Sequence, residues 1–198
     1  MNNIHILLLA AGASKRMKQP KQLLHWGDTS LLQHQITTLM KLNVPLTVVL
    51  GAYVSDIQKT VLPSEKVNII KNPSWEQGLG NSIAFGVKQF LKGSQEVDGI
   101  MIVLADQPLV TLPHYQKIIA TFQPDKKQIV VSQSPEGISS PPALFDYYYF
   151  QFLEKLEGDH GAMPIVKTNK ENVTYIPSEN LEDMDTPEQY EKLKSKME

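Results

Sequence analysis

A regular alternation of short apolar runs with segments of helical periodicity constrains the fold of this chain more than any other feature of its sequence. Five runs rich in branched residues lie at 4–9, 46–50, 67–70, 99–104 and 129–132. Each predicts a strand buried on both faces, which is typical of parallel sheets. Helical spacing of apolar residues marks the segments between them, around 31–40, 57–62, 83–91 and 118–122. This order predicts an α/β fold, a three-layer α/β/α sandwich with a mostly parallel sheet.

The alternation loosens after residue 132. A Pro-rich segment at 139–142, an aromatic stretch at 145–152 and a short predicted strand at 173–176 follow. Near the end, the sequence TPEQ at 186–189 is a capping box with proline at the first helical position, and it predicts a helix to about residue 196.

Length and composition favour one globular domain over residues 1–198. At 41% hydrophobic and 20% charged residues, the chain has enough apolar surface to build a core. Its longest apolar runs, 6–11 and 100–105, are far shorter than the roughly 20 residues that cross a bilayer. The N-terminus lacks the basic stretch of an export signal, so we expect a cytoplasmic protein with no membrane partner.

Cysteine content and charge exclude several classes of function. The chain has no cysteine, which excludes disulfides, thiolate zinc sites and a cysteine nucleophile. Its 19 Lys and Arg against 21 Asp and Glu give a net charge of −2, so no overall field attracts nucleic acid. None of the five histidines shows the spacing of metal ligands, and no Gly-x-Ser-x-Gly motif is present.

Ligands of open parallel sheets bind beyond the carboxyl ends of the strands, so the segment after the first predicted strand is a candidate site. There Ala10, Ala11, Gly12 and Ser14 form a loop of small residues through which backbone N–H groups can approach an anion. Four cations follow within seven residues: Lys15, Arg16, Lys18 and Lys21. The loop lacks the Walker A pattern, and the residues alone leave phosphate binding and a solvated basic loop about equally open.

A second candidate segment follows the third predicted strand. Asn72, the backbone at Gly78 and the hydroxyl of Ser82 can supply donors and acceptors to the edge of a base. The alternative is that Ser82 or its neighbour Asn81 merely caps the following helix. A dinucleotide fingerprint is disfavoured because Ile83 stands where a third glycine is needed.

Two acidic residues form the third candidate. Asp106 follows the fourth predicted strand, and Asp185 precedes the capped C-terminal helix. Each alone is explained as well by a turn or by the helix dipole. Together they predict a site for Mg²⁺, with Mn²⁺ as an alternative, because such ions bind carboxylate and phosphate oxygens.

Several motifs closely resemble those of the molybdenum cofactor nucleotidyltransferases, the MobA/MocA-like group of NTP transferases. They occur in the same order along nearly the whole chain: LAAGASKRM at 9–17, PKQL at 20–23, NPxWxxGLxxS at 72–82, LADQPL at 104–109, PALF at 142–145, GDxGA at 158–162 and DxDTP at 183–187. The first and last of these are more similar to the cytidylyltransferase branch. The resemblance implies a Rossmann-like fold of the nucleotide-diphospho-sugar transferase type, similar to GT-A.

The resemblance also implies a reaction, in which a phosphate oxygen of molybdopterin attacks the α-phosphorus of CTP and releases pyrophosphate. It implies that Gly12 and Ser14 line the phosphate loop, Arg16 holds the β- and γ-phosphates, and Lys21 neutralises the α-phosphate. By the same resemblance, the nucleoside contacts are Asn72, Gly78 and Ser82, and the Mg²⁺ ligands are Asp106 and Asp185. A molybdenum hydroxylase such as xanthine dehydrogenase is the implied recipient of the product.

The sequence departs from the pattern of this group mainly on the side expected to hold the acceptor. Ser140-Pro141-Pro142 stands where Gly-His-Pro is common, Met163 replaces a frequent arginine, and Lys18 replaces a frequent glycine. The alternatives are therefore GTP as donor, a sugar or polyol phosphate as acceptor, or a carrier of the molybdenum cofactor that performs no turnover. A nucleotide-binding module with a degenerate site is disfavoured by retention of the charged residues.

Overall fold

A seven-stranded sheet forms the centre of the computed structural model, which describes residues 2–62, 64–93 and 97–196. The strands are β1 (Ile4–Ala10), β2 (His25–Trp26), β3 (Thr29–Ser30), β4 (Leu46–Leu50), β5 (Val67–Lys71), β6 (Gly99–Leu104), β7 (Ile129–Gln133), β8 (Ser139–Asp146) and β9 (Val173–Pro177). The helices are α1 (Leu31–Met40), α2 (Val54–Thr60), α3 (Leu79–Lys92), α4 (Leu112–Thr121), α5 (Phe150–Leu153), α6 (Met163–Thr168) and α7 (Pro187–Lys194). Single turns of 3-10 helix occur at Lys15–Met17, Lys21–Leu23, Trp75–Gln77, Tyr147–Tyr149 and Lys170–Asn172.

The strand order in the large sheet is β5-β4-β1-β6-β8-β7-β9, and every strand except β8 runs in one direction. The expectation of a mostly parallel sheet is therefore confirmed. The short strands β2 and β3 form a separate antiparallel hairpin. Because β5 is an edge strand, all five of its residues are at least partly exposed, contrary to the burial on both faces expected from its apolar pattern.

Strand β8 lies in the Pro-rich segment that the sequence left outside the predicted elements. It inserts between β6 and β7 and pairs antiparallel with both. Proline cannot donate to a ladder, and the register explains how two prolines fit here. Val131 pairs with Ala143 while the next residue, Ser132, pairs with Ser140, so Pro141 and Pro142 fall in a bulge outside the ladder.

Helices cover both faces of the sheet, which confirms the three-layer architecture. One apolar cluster joins a sheet face to α1, α2 and α4 through residues such as Ile36, Ile57 and Ile118. The other cluster joins the opposite face to α3, α5 and α6 through residues such as Val87 and Val166. Strand β1 lies between the two clusters and is buried at every position.

A third apolar cluster connects distant parts of the chain. Trp26 of the β2–β3 hairpin and Leu31 of α1 pack against Met184 and Leu193, which belong to the C-terminal segment. Helix α7 has the predicted capping box, in which the Thr186 hydroxyl and the Gln189 side chain bond reciprocally to backbone N–H groups. Among the described residues, no helix combines the length and the apolar character needed to cross a membrane.

Candidate functional site

An open cleft of about 720 Å³ lies at the carboxyl ends of β1 and β6. It brings together most of the residues singled out in the sequence, from four separate stretches of the chain. The cleft is lined by Ala10, Ala11, Gly12, Arg16, Lys21, Gly78, Ser82, Asp106 and Asp185, together with residues such as Gln22, Trp75, Leu79, Leu104 and Asp159. Ser14 and Asn72 are not part of the lining.

The loop after β1 is held by side chains that follow it in sequence. Ser14 adopts a left-handed conformation with φ of 54°, and its hydroxyl accepts a hydrogen bond from the N–H of Lys21 at 3.1 Å. Gln22 is buried, and its Nε2 donates to the carbonyl oxygens of Ala10 and Gly12, both at 2.9 Å. Sequence reasoning missed Gln22, although its place beside Lys21 in the PKQL motif was a usable signal.

Lys21 is the centre of a charged network at the mouth of the cleft. Its Nζ donates to Asp106 Oδ2 at 2.5 Å and to Asp185 Oδ1 at 3.0 Å. Arg16 donates to the other oxygen of Asp185 at 2.8 Å. Burial by itself lowers the pKa of Lys21, but the two carboxylates outweigh it and raise the pKa above its usual value. The ammonium group therefore stays charged in the cleft.

Backbone contacts bring the two aspartates together from distant parts of the chain. Asp106 follows β6, and its carbonyl oxygen accepts a hydrogen bond from the N–H of Met184 at 2.8 Å. The N–H of Asp185 donates in turn to Gln189 Oε1 of the α7 capping box at 2.8 Å. The capping box thus positions a charged residue of the cleft as well as beginning a helix.

The acidic pair has the chemistry of a divalent cation site. Asp106 Oδ1 is buried, and the described residues offer it no hydrogen-bond partner. A buried carboxylate oxygen without a partner is costly, and a metal ion would satisfy it. In the described part of the chain, no three His, Cys, Asp or Glu side chains are placed so that they could hold a metal ion together, so a bound ion would draw further oxygens from water or phosphate.

Asp183 is a third acidic residue near this pair, and the sequence analysis assigned it no role. The residue as a whole is exposed, but its carboxyl group is desolvated where it lies against the protein. Burial and the negative charges of Asp106 and Asp185 raise the pKa of Asp183 to about 6, although a hydrogen bond with Gln107 opposes the shift.

Asn72 occupies a different place from the one expected of a residue in contact with a base. It is fully buried, and its Nδ2 donates to Ser82 Oγ at 3.1 Å and to Asn81 Oδ1 at 3.0 Å. Its Oδ1 accepts from the N–H of Ser74 at 2.9 Å. The amide is therefore used within the protein, and Asn72 orients Ser82, which lines the cleft.

The N-terminal end of α3 depends on a glycine. Gly78 precedes the helix with φ of +102°, and a Cβ there would lie 2.4 Å from Asp159 Oδ1. Gly80 donates its N–H to the carbonyl oxygen of Gly158 at 2.7 Å. Since no side chain caps α3, the alternative that Ser82 or Asn81 caps this helix does not hold. The loop around Asp159 belongs to the GDxGA motif, to which the sequence analysis assigned no role, and it contributes Asp159 to the lining of the cleft.

Comparison with curated proteins finds relatives of modest identity. The chain is 32% identical over 126 residues to purine catabolism protein PucB of Bacillus subtilis (strain 168), a match that covers 62% of the chain and 58% of that protein. It is 25% identical over 118 residues to molybdenum cofactor cytidylyltransferase of Escherichia coli (strain K12), covering 60% and 59%. The matches thus span about three fifths of these relatives.

Solved structures of similar architecture extend over almost the whole chain. Rv0371c of Mycobacterium tuberculosis H37Rv superposes with a TM-score of 0.84 at 25% identity, covering 98% of both chains. A nucleotidyl transferase of Methanothermobacter thermautotroptrophicus shares the fold with a TM-score of 0.82 at 16% identity, covering 99% of this chain and 98% of that one. The model of the MobA-like NTP transferase domain matches residues 6–173. The chain therefore belongs to the MobA-like NTP transferase family, as its motifs indicated.

Proposed function

We propose that this protein transfers CMP from CTP to the phosphate of a molybdopterin-type cofactor and releases pyrophosphate. The observation that carries the proposal is the position of Lys21, held between Asp106 and Asp185 beside the loop of small residues after β1. Transfer of a nucleotidyl group needs alignment and neutralisation of phosphate charge more than it needs a protein nucleophile. The cleft offers cations, backbone N–H groups and paired carboxylates together.

The nucleotide half of the cleft has defined roles in this proposal. Gly12 belongs to the phosphate loop, whose shape Ser14 maintains through its bond to the N–H of Lys21. Ala10 and Ala11 line the cleft beside Gly78 and Ser82 and would contact the nucleoside with them. Asn72 acts through Ser82, because its amide already donates to the Ser82 hydroxyl, which keeps its own hydrogen for an acceptor on the base.

Asp106 and Asp185 would hold a divalent metal ion, either Mg²⁺ or Mn²⁺. The fit rests on the unpartnered Asp106 Oδ1 and the convergence of both carboxylates at Lys21. A structure of the Mycobacterium tuberculosis relative was solved as a complex with manganese. A bound ion would supply positive charge to the phosphate oxygens in the transition state. If an ion neutralised the carboxylates, Lys21 would be free to contact the α-phosphate and Arg16 to contact the β- and γ-phosphates.

The identity of the acceptor rests on the relatives. The Escherichia coli relative is named as a molybdenum cofactor cytidylyltransferase, and the Bacillus subtilis relative is named for purine catabolism. A cytoplasmic molybdenum hydroxylase such as xanthine dehydrogenase is the recipient that this proposal implies. The competing functions are guanylyl transfer, transfer to a sugar or polyol phosphate, and delivery of the cofactor without turnover.

The test is pyrophosphate release with Mg²⁺ and molybdopterin, measured in parallel with CTP, GTP, ATP and UTP. We expect release with CTP and background rates with the other three nucleotides. Release with GTP alone would replace the proposal with guanylyl transfer. No release with any nucleotide, despite binding of CTP, would contradict molybdopterin as the acceptor or favour a protein that delivers the cofactor without turnover.

A further inference from the structure

A small apolar cavity adjoins the cleft on the side away from the phosphate loop. It measures about 50 Å³ and lies between α3, the strands β6 and β8, and the loop that leads into α6. Leu79 and Leu104 line both the cleft and this cavity. The two spaces are therefore neighbours, and Leu104, the last residue of β6, stands only two residues before Asp106.

The walls of the cavity are almost entirely apolar. Pro141 and Ala143 of β8 face Ala162 and Met163 at the beginning of α6, and His160 is the lining residue with a titratable side chain. Four of the apolar lining residues are only half-buried: Leu79, Leu104, Pro141 and Met163. Leu79 and Met163 also pack against one of the two main apolar clusters, so the cavity lies beside the core at the edge of the site.

The size and chemistry of the cavity restrict what can fill it. A space of about 10–15 Å³ already admits one water-sized group, so this cavity has room for a few non-hydrogen atoms. Apolar cavities of this kind stay dry and gain from an apolar occupant. A phosphate or a charged ring would lose its hydration without finding partners there.

We propose that this cavity is an acceptor subsite that takes a short apolar segment of the phosphorylated acceptor, with Ala143, Ala162 and Met163 as residues that determine specificity. This inference rests on the proposed function, which supplies the identity of the occupant. In that proposal the nucleotide binds at the loop after β1, so the acceptor is left with the side of Asp106 on which the cavity lies. Pro141 and Met163 line the cavity with apolar side chains, and these indicate an acceptor that is apolar at this point.

The test is a series of alkyl phosphates, from methyl to hexyl phosphate, titrated by NMR into the full-length protein with Mg²⁺ and a non-hydrolysable CTP analogue. Each methylene that enters the cavity should tighten binding about fourfold, and the gain should stop when the cavity is full. We expect at least two successive steps of this size before the plateau. Equal affinities along the series would overturn the proposal.

Two variants test whether the gain in affinity with each methylene comes from this cavity. Ala162→Leu fills it and should abolish the steps, whereas Met163→Ala widens it and should move the plateau to a longer chain. Lys167→Ala, on the exposed side of α6, is the matched control and should behave as the unchanged protein. Persistence of all steps in both cavity variants would also overturn the subsite.

Failure of the subsite and failure of the proposed function give different results. Binding of the alkyl phosphates needs no turnover, so the series can be read even if no pyrophosphate is released. If the CTP analogue does not bind, the nucleotide assignment is wrong, and the same series on the protein with Mg²⁺ alone still decides whether the cavity takes an apolar segment.

Discussion

Lys21 couples the two carboxylates of the cleft, and its charge is the property that we expect catalysis to need. Lys21→Ala and Asp106→Ala should each lower the rate of pyrophosphate release on the order of a hundredfold or more, because each removes a group that neutralises phosphate charge. Steady-state kinetics with CTP and Mg²⁺ measures the loss, and circular dichroism checks that the variants fold. Lys59→Ala, which removes an exposed ion pair with Asp56, is the control. Near-normal turnover of Lys21→Ala or Asp106→Ala would refute the site assignment.

His5 is a buried histidine that couples stability to pH. Its Nε2 lies 2.9 Å from Thr47 Oγ1, and burial lowers the pKa of His5 from 6.5 to about 4. Since the unfolded chain takes up the proton first, the stabilising contribution is complete above pH 6.5 and is lost as the pH falls to about 4. The loss should reach on the order of 3 kcal/mol.

Urea unfolding at pH 7, 6, 5 and 4 measures how steeply the free energy of unfolding falls as the pH is lowered. His5→Leu should reduce this slope. Burial also lowers the pKa of His34 and His114, which adds a slope of the same sign, whereas the raised pKa of Asp183 adds a slope of the opposite sign below about pH 6. The quantity to compare is therefore the difference in slope between the unchanged protein and the variant. An unchanged slope in His5→Leu would show that its burial does not control the acid sensitivity.

Among the elements, α7 has two roles, because its capping box begins the helix and also positions Asp185 in the cleft. Gln189 Oε1 accepts hydrogen bonds from the N–H groups of both Asp185 and Thr186. Gln189→Ala should cost about 1 kcal/mol of stability through the lost cap, and it should also raise the Mg²⁺ concentration needed for half-maximal pyrophosphate release. Ser30→Ala removes the N-cap of α1 and is the matched control, since it should cost similar stability without changing the Mg²⁺ requirement. Equal effects of both variants on the Mg²⁺ requirement would contradict the positioning role.

The elements also show which parts of the fold were accessible to sequence reasoning. Strands β1, β4 and β6 were predicted almost to the residue because continuous apolar runs of that length suit buried parallel strands. Helices α2, α3 and α4 begin earlier than predicted, since the apolar residues of their first turns, such as Leu79 and Tyr115, stand among polar residues, glycine or proline and show no periodicity by themselves. Strand β8 was missed because its prolines mask a strand pattern, and only the bulge opposite β7 lets them join the sheet.

At the scale of the whole molecule, the third apolar cluster ties the C-terminal helix to the hairpin and to α1. Leu193 of α7 is buried against this cluster, which also contains Trp26. Leu193→Ala should lower the free energy of unfolding by about 2–5 kcal/mol. Leu91→Ala on the surface of α3 is the control and should cost far less, because Leu91 is 39% exposed. Urea unfolding followed by tryptophan fluorescence measures the free energy of unfolding of both variants. A loss in Leu193→Ala as small as that in Leu91→Ala would show that α7 is not part of the cooperative unit.

The sequence by itself determined the α/β architecture, the parallel strands and the family, because these depend on local periodicity and on motifs that are contiguous in the chain. Most of the candidate site residues that it named line the cleft, because ligands of open parallel sheets bind beyond the carboxyl ends of the strands. Only the tertiary structure decided that Lys21 bridges Asp106 and Asp185, and that the amide of Asn72 donates to the hydroxyl of Ser82. These facts depend on distances between segments far apart in the chain, which are set by packing and by the sheet register rather than by any local pattern.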